Sequence, residues 1–330
     1  MYQGADVAAP CNHEKAMTHP EYARLVSIVM RTVGGRPREI RRAIASVAAN
    51  TWRPLEVVVV YQGPENEQWQ DLQNLSGEFS SLAVRVVNNP AAGDRRAHNL
   101  NIGWEYAQGR YIGFLDDDDT LATQHVALLV AAMQDTGKAW AYAQVTLRKE
   151  NEDLEIVSES HPFRRHAFSL KSLWTENFLP IHSFLIDRSA LHFALQRPPF
   201  CEELDRSEDW DFLLRLAFYH EPAVVEEFTA TYHVSTGSRN TNLSLMDSAA
   251  NQDEREQLNR EAWARCKAIV EQRKITLTTS IWWARDFFNI AHEMSDIHAD
   301  ARNASAVSAY SCSVRQRVIR KMIRILEKLL

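Results

Sequence analysis

From Leu25 onward, short β-branched runs alternate with stretches whose apolar residues recur at helical spacing. Four such runs, separated by helical patterns like IRRAIASVAAN, are LVSIVM, LEVVVV, AVRVVNN and YIGFL. This alternation predicts βαβ units and a parallel sheet. We therefore expect an α/β fold in which a doubly wound, Rossmann-like, mostly parallel sheet is flanked by helices.

The pattern becomes less regular after residue 119. A helix at about 122–136 and the strand AWAYAQVTLRKE precede a polar stretch, and further helices are expected at about 170–176, 189–195 and 209–218. A linker near 245–254 leads to a mostly helical end. We predict an N-terminal tail (1–24), a main domain (25–244) and a helical C-terminal region (245–330).

Composition and charge narrow the class of protein. With 330 residues, 45% of them hydrophobic and 24% charged, the chain can bury one large core plus an appendage. A net charge of -6 gives no reason to expect a nucleic-acid partner. Four dispersed cysteines, the lack of a signal sequence and the lack of a long apolar run predict a cytoplasmic protein without a membrane span.

An acidic run, Asp116 to Asp119, directly follows the apolar run YIGFL. In an open parallel sheet, ligands bind where strands end. Adjacent carboxylates repel one another, and a hard cation such as Mg²⁺ or Mn²⁺ relieves that repulsion while it bridges to phosphates. The run therefore predicts a site for a diphosphate. The alternative is a solvated turn that caps the next helix, which its place after a buried-looking strand makes less favourable.

Four segments follow one another along the chain: VSIVMRT, AIASVAANTWRPLEVVVVYQG, AHNLNIGWEYAQGRYIGFLDDDD and SEDWDFLLRL. In this order they resemble the large inverting glycosyltransferase family 2, whose catalytic domain has the GT-A fold. The resemblance extends over about two thirds of the chain, from residue 25 to residue 238. It implies a nucleotide-diphosphate sugar donor, Mn²⁺ or Mg²⁺ as cofactor, and a glycan or lipid-linked acceptor in cell-surface polysaccharide synthesis.

The resemblance also implies roles for individual residues. Asp116-x-Asp118 matches the DxD motif of the family. Asp118 would bind the metal, and Asp116 and Asp117 would contact the nucleotide-sugar donor. Thr32 falls where the nucleotide contacts of the family begin. Asp209 matches the general base, and its neighbour Glu208, or burial against Trp210, would raise its pKa toward the working range. Direct displacement would invert the anomeric centre, and the metal would neutralise the departing diphosphate.

Three positions depart from the family pattern. Tyr61-Gln62 replaces an acidic pair that contacts the base, so Gln62 would offer its amide to the base edge and Tyr61 would stack on it. His98 replaces an arginine, which leaves Arg95 or Arg96 as the phosphate partner. Arg31 replaces a common proline, and the sequence assigns it no effect.

His233 lies in TYHVSTGSRN, where the resemblance suggests a third metal ligand or a phosphate contact, with Arg239 as a further donor. The other interpretation of His233, a hydrogen-bonded structural histidine, stays open. The segment SEDWDFLLRL also has the pattern of a helix N-terminus. A helix start and a catalytic carboxylate can coincide in this segment.

A basic amphipathic helix is predicted at residues 314–329. Such a helix could bind the anionic inner face of the cell membrane. Alternatively, its apolar side could pack on the catalytic domain or on a second copy of the chain in a homo-oligomer. Two other functions agree less well with the sequence. A nucleotidyltransferase would need a stronger phosphate loop than Gly34-Gly35-Arg36. A binding module without transfer activity is disfavoured because Asp118 and Asp209 are both retained.

Overall fold

A computed structural model describes residues 22–79, 81–93, 95–195, 198–236 and 257–279. The chain divides into two compact units, residues 1–271 and 272–330, and only 272–279 of the second unit are described. The predicted linker (245–254), Arg239 and the basic helix at 314–329 lie outside the described residues, as does most of the N-terminal tail.

The first half of the sheet is built from strands that alternate with helices. Its elements are β1 (Val26–Thr32), α1 (Pro37–Ala48), β2 (Leu55–Gln62), α2 (Glu67–Glu78), β3 (Ala83–Asn89), α3 (Arg96–Tyr106) and β4 (Tyr111–Asp116). The four strands are parallel in the order β3-β2-β1-β4. The alternation predicted from the hydrophobic runs is confirmed.

Helices cover both faces of this parallel half. In β2, Val57 and Val59 belong to a large core cluster that includes Ile44 of α1, whereas Val58 and Val60 pack on the opposite face against residues of α3. Burial on both faces explains why the strand reads as a continuous apolar run. The sheet is therefore doubly wound, as expected.

The second half of the sheet is mixed. Its elements are β5 (Thr120–Leu121), α4 (His125–Thr136), β6 (Trp140–Glu150), β7 (Ile156–Ser160), α5 (Leu170–Thr175), β8 (Phe184–Asp187), α6 (Glu208–Tyr219) and β9 (Ala223–Ser235). From β4 the order continues β8-β6-β9-β5, with β7 beside β6. β8 is antiparallel to β4 and β6, whereas β9 is parallel to β6.

The α/β class is confirmed, and a helix over residues 257–279, α7, agrees with the predicted C-terminal helical appendage. The helix predicted at 189–195 is wrong, because the chain there forms two short 3-10 turns, Arg188–Ala190 and Phe193–Leu195. Within the described residues, no helix combines the length and apolar character needed to cross a bilayer.

Two helical glycines provide a test of the packing between α3 and β1. A Cβ at Gly103 would lie 2.2 Å from Val29 Cγ1, whereas a Cβ at Gly77 would meet nothing within 4 Å. We expect Gly103→Ala to lower the free energy of unfolding by about 1–3 kcal/mol through overpacking. Gly77→Ala, the matched control, should raise it by about 0.5–1 kcal/mol. Urea denaturation measures both, and equal effects would contradict this packing.

Candidate active site

The acidic run lies at the carboxyl edge of the parallel strands. Parallel pairing places Arg31 of β1 beside Asp116 of β4, and the chain then turns so that the Asp119 N–H donates to the Asp116 carbonyl at 3.2 Å. Thr32 ends the neighbouring strand β1. The first strand and the acidic turn therefore meet at one edge, as the sequence predicted.

Asp116 is held by arginine. The Arg31 Nε donates to Asp116 Oδ1 at 2.9 Å. Burial opposes ionisation of Asp116, but Arg31, with smaller contributions from His182 and Arg96, keeps its pKa below the ordinary value. Arg96 is the first residue of α3, and its charge acts on Asp116.

Asp117 faces the end of β1. Thr32 Oγ1 donates to Asp117 Oδ2 at 2.5 Å and accepts from the Gly34 N–H at 3.0 Å. Gly34 has a φ of 78°, which a side chain would strain. Burial raises the pKa of Asp117 to about 6, even though the Thr32 hydrogen bond acts in the opposite direction. Thr32 and Asp117 thus form one polar unit at the strand ends.

Arg36 only partly compensates the ionisation of Asp118. Arg36 forms an ion pair with it and lies 3.7 Å from Asp117. Burial and then repulsion from Asp119, Asp117 and Asp116 raise the pKa of Asp118 to about 8 in spite of Arg36. One third of its side chain is exposed, at a cavity of about 100 Å³ whose lining also includes Arg36, Arg42, Glu150, Tyr232 and His233. Repulsion of this kind is what a divalent cation relieves when it binds a carboxylate.

Asp119 is part of the protein interior. Its Oδ1 accepts the His233 N–H at 2.8 Å, and its Oδ2 lies 2.8 Å from His182 Nδ1. Although burial favours neutral His182, Asp119 and the neighbouring carboxylates raise its pKa. The fourth carboxylate therefore anchors the turn to β9 and to the segment before β8.

Asp209 lies in the first turn of α6 and is half-buried. Asn177 Nδ2 donates to its Oδ2 at 3.0 Å, and the Trp210 N–H donates to its Oδ1 at 2.8 Å. Burial, followed by the adjacent Glu208, raises the pKa of Asp209 to about 7. A carboxylate with such a pKa can both accept and release a proton near neutrality.

Tyr232 of β9 links the two acidic groups. Burial raises the pKa of its hydroxyl, and four carboxylates act in the same direction: Asp119, Asp116, Asp118 and Asp209. The acidic turn and Asp209 therefore both lie near enough to this hydroxyl to oppose its ionisation. Arg31 connects them a second time, because its Nη1 contacts Glu208, the neighbour of Asp209.

The residues after β2 differ from the sequence-based interpretation. Tyr61 is 1% exposed and stacks on Trp69 with 6.0 Å between ring centroids, so the expectation that it stacks on a nucleotide base is wrong. The Gln62 amide donates to the carbonyls of Ala91 and Gly93, and its Oε1 accepts from Asn99 at 2.9 Å. Gln62 lies at the predicted edge, but its amide braces the loop after β3.

His233 has the geometry of a structural histidine. Its Nδ1 lies 2.7 Å from Glu150 Oε1, and its Nε2 lies 2.9 Å from Thr120 Oγ1. Burial lowers its pKa, which favours the neutral ring. Both ring nitrogens are engaged inside the protein, so the geometry lends no support to its predicted role as a metal ligand. In the described part of the chain, no group of three or more His, Cys, Asp or Glu side chains is arranged as a metal cage.

Three residues of the site were missed by sequence reasoning: Arg31, Arg36 and Tyr232. Arg31 was noted only as a departure from a proline, and Arg36 only as part of a weak glycine-rich loop. The charge of the acidic run is the one signal that could have found the two arginines, because buried carboxylates require cationic partners.

The chain matches the model of glycosyl transferase family 2 over residues 27–193, about half of its length. It is 27% identical over 179 residues to the chondroitin synthase of Pasteurella multocida (strain Pm70), which covers 54% of this chain and 17% of that protein. Over 126 residues it is 23% identical to the Escherichia coli UDP-Glc:alpha-D-GlcNAc-diphosphoundecaprenol beta-1,3-glucosyltransferase WfaP, covering 38% of this chain and 48% of that protein. The chain thus spans less than half the length of either relative.

Among solved structures, the crystal structure of S. aureus TarS 1-349 in complex with UDP-GlcNAc aligns with a TM-score of 0.49 and 17% identity, covering 73% of this chain and 66% of that chain. The family-model match over half of the chain confirms the resemblance that the motifs indicated. The protein belongs to glycosyl transferase family 2.

Proposed function

We propose that the protein is an inverting glycosyltransferase that moves a sugar from a nucleotide-diphosphate sugar to a hydroxyl of a glycan or lipid-linked acceptor. The observation that carries this proposal is the contact of one guanidinium, that of Arg31, with Asp116 of the acidic turn and with Glu208, the neighbour of Asp209. A transferase of this kind needs a charge-stabilising group for the diphosphate and a separate base for the acceptor, and the acidic turn and Asp209 would supply them.

The donor side consists of Thr32, Asp116, Asp117 and Arg96. Arg96 would interact with the diphosphate as a cationic donor, and the Thr32–Asp117 pair would contact the nucleoside. Asp118 would hold Mn²⁺ or Mg²⁺, because its carboxylate is crowded by three others and opens onto the cavity. When bound, that ion supplies Lewis-acid stabilisation of the negative charge on the diphosphate.

The acceptor side consists of Asp209 with Glu208. Asp209 would accept the proton of the attacking hydroxyl while the acceptor oxygen bonds to the anomeric carbon and the bond to the diphosphate breaks. Asn177 and the Trp210 N–H fix the orientation of the carboxylate, and its raised pKa matches the task of a base near neutral pH. Attack from the side opposite the leaving group inverts the configuration.

The names of the relatives support the substrate classes. A chondroitin synthase builds a polysaccharide, and the E. coli relative is named for a UDP-sugar donor and a diphosphoundecaprenol-linked acceptor. We propose the same classes here, namely a nucleotide-diphosphate sugar and a glycan or lipid-linked acceptor in cell-surface polysaccharide synthesis.

Substitution of the two key carboxylates should separate donor binding from chemistry. Asp209→Asn should retain metal-dependent nucleoside-diphosphate binding within about threefold and lose transfer by about 10²–10⁴-fold, because a general base contributes that much. Asp118→Ala should weaken both. A thermal-shift screen of nucleoside diphosphates with Mn²⁺ selects the ligand, and calorimetry measures its affinity.

The exposed Asp135→Asn variant controls for loss of an acidic side chain outside the site. Full transfer by Asp209→Asn would remove Asp209 from the role of base. Nucleotide binding without any transfer by the wild-type protein would instead favour a binding module.

The pH profile should report Asp209. The group must be ionised to act, and it is protonated below its pKa of about 7, so kcat/KM should fall about tenfold per pH unit below 7 and level off above it. Glu208→Gln removes a negative neighbour, which lowers the pKa of Asp209 and should move this limb to lower pH. A limb that stays in place in Glu208→Gln would show that another group titrates.

A further inference from the structure

Arg31 joins two parts of the chain that are distant in sequence. Its Nε donates to Asp116 Oδ1 at 2.9 Å, across 85 positions, and its Nη1 contacts Glu208 Oε1, across 177 positions. All three side chains are largely shielded from solvent, with 15%, 27% and 4% of their surface exposed for Arg31, Asp116 and Glu208. A guanidinium is suited to this position, because its planar donors reach two carboxylates in fixed directions.

Local geometry fixes both ends of this bridge. The parallel register of β1 and β4 places Arg31 directly beside Asp116. At the other end, Ser207 has a φ of 60°, a left-handed conformation that non-glycine residues adopt only where surrounding contacts enforce it. From Ser207 the chain enters α6, so that Glu208 points to Arg31 while Asp209 contacts Asn177.

We propose that Arg31 is a positioning residue that couples the donor carboxylate Asp116 to the first turn of α6, and so sets the place of Asp209 relative to the donor. This inference rests on the proposed function, in which Asp116 contacts the donor and Asp209 serves the acceptor. Arg31 itself touches no reacting atom. It acts through Asp116 and Glu208, as supporting residues act on the ligands of other sites.

A purely electrostatic role and a positioning role differ in which side chains could replace Arg31. If Arg31 only neutralised buried charge, any cation at that position would serve. If it fixes the distance between the two carboxylates, an ammonium cannot replace it, because a lysine is a point donor on a flexible stem. The two roles are therefore separable by Arg31→Lys.

Steady-state kinetics of transfer test this distinction. Arg31→Lys should lower kcat by about 10–100-fold, the range seen when a supporting residue is lost, and leave the donor KM within about threefold. The matched control is Arg41→Met, which removes a surface arginine that is likewise bound through two nitrogens to one glutamate, Glu78, and should keep kcat within about twofold. Wild-type kcat in Arg31→Lys would overturn the proposal.

A double-mutant cycle provides a readout that does not need an acceptor. The ligand is whichever nucleoside diphosphate of uridine, guanosine, thymidine or cytidine binds most tightly. Calorimetry with Mn²⁺ measures its affinity for the wild type, Glu208→Gln, Arg31→Met and the double variant. Glu208→Gln should change the affinity about twofold to threefold when Arg31 is present and less than about 1.5-fold when it is absent, because the effect travels through Arg31. Additive effects would refute the coupling.

The outcomes of the two experiments distinguish this proposal from the proposed function. Absence of transfer and of nucleotide binding in the wild-type protein contradicts the function and, with it, the inference. Binding and transfer in the wild type, combined with additive effects in the cycle, leave the function standing and reject the role of Arg31. Thermal unfolding of each variant shows whether it folds. Arg31→Lys should fold, because it keeps the positive charge between the two carboxylates.

Discussion

Repulsion among four consecutive carboxylates is the constraint around which this site is organised. Each member of the turn has a different partner: Asp116 has Arg31, Asp117 has Thr32, Asp118 has Arg36, and Asp119 has His182 with a backbone N–H of β9. Buried charge is costly without such partners. The compensation is incomplete at Asp118, which is also the carboxylate that opens onto the cavity.

The two halves of the sheet supply different parts of this arrangement. The parallel half delivers strand ends to one edge, as open α/β sheets do, and so provides Thr32 and the acidic turn. The mixed half supplies Tyr232, the anchor of Asp119 and, through α6, Asp209. Arg31 contacts residues of both halves, and for this reason we include it in the candidate site.

The sequence predicted the parallel half and the acidic turn well, because strands buried on both faces give continuous apolar runs and because the charged run follows one of them directly. It did not predict β9 or the bridge made by Arg31. Pairs separated by a hundred positions leave no local pattern in the chain. Tyr61 shows the same limit, since an aromatic residue after a strand reads alike whether it faces a ligand or packs on a neighbour such as Trp69.

The contact between the Asp119 carboxylate and the His233 N–H spans 114 positions. The parallel strands and their helices are mostly local units, which can assemble while the chain is still being synthesised. The acidic turn, however, gains its β9 anchor only after residue 233 has left the ribosome. This edge of the sheet is therefore completed late in biosynthesis, and an incomplete chain would carry the parallel half with Asp119 not yet anchored to β9.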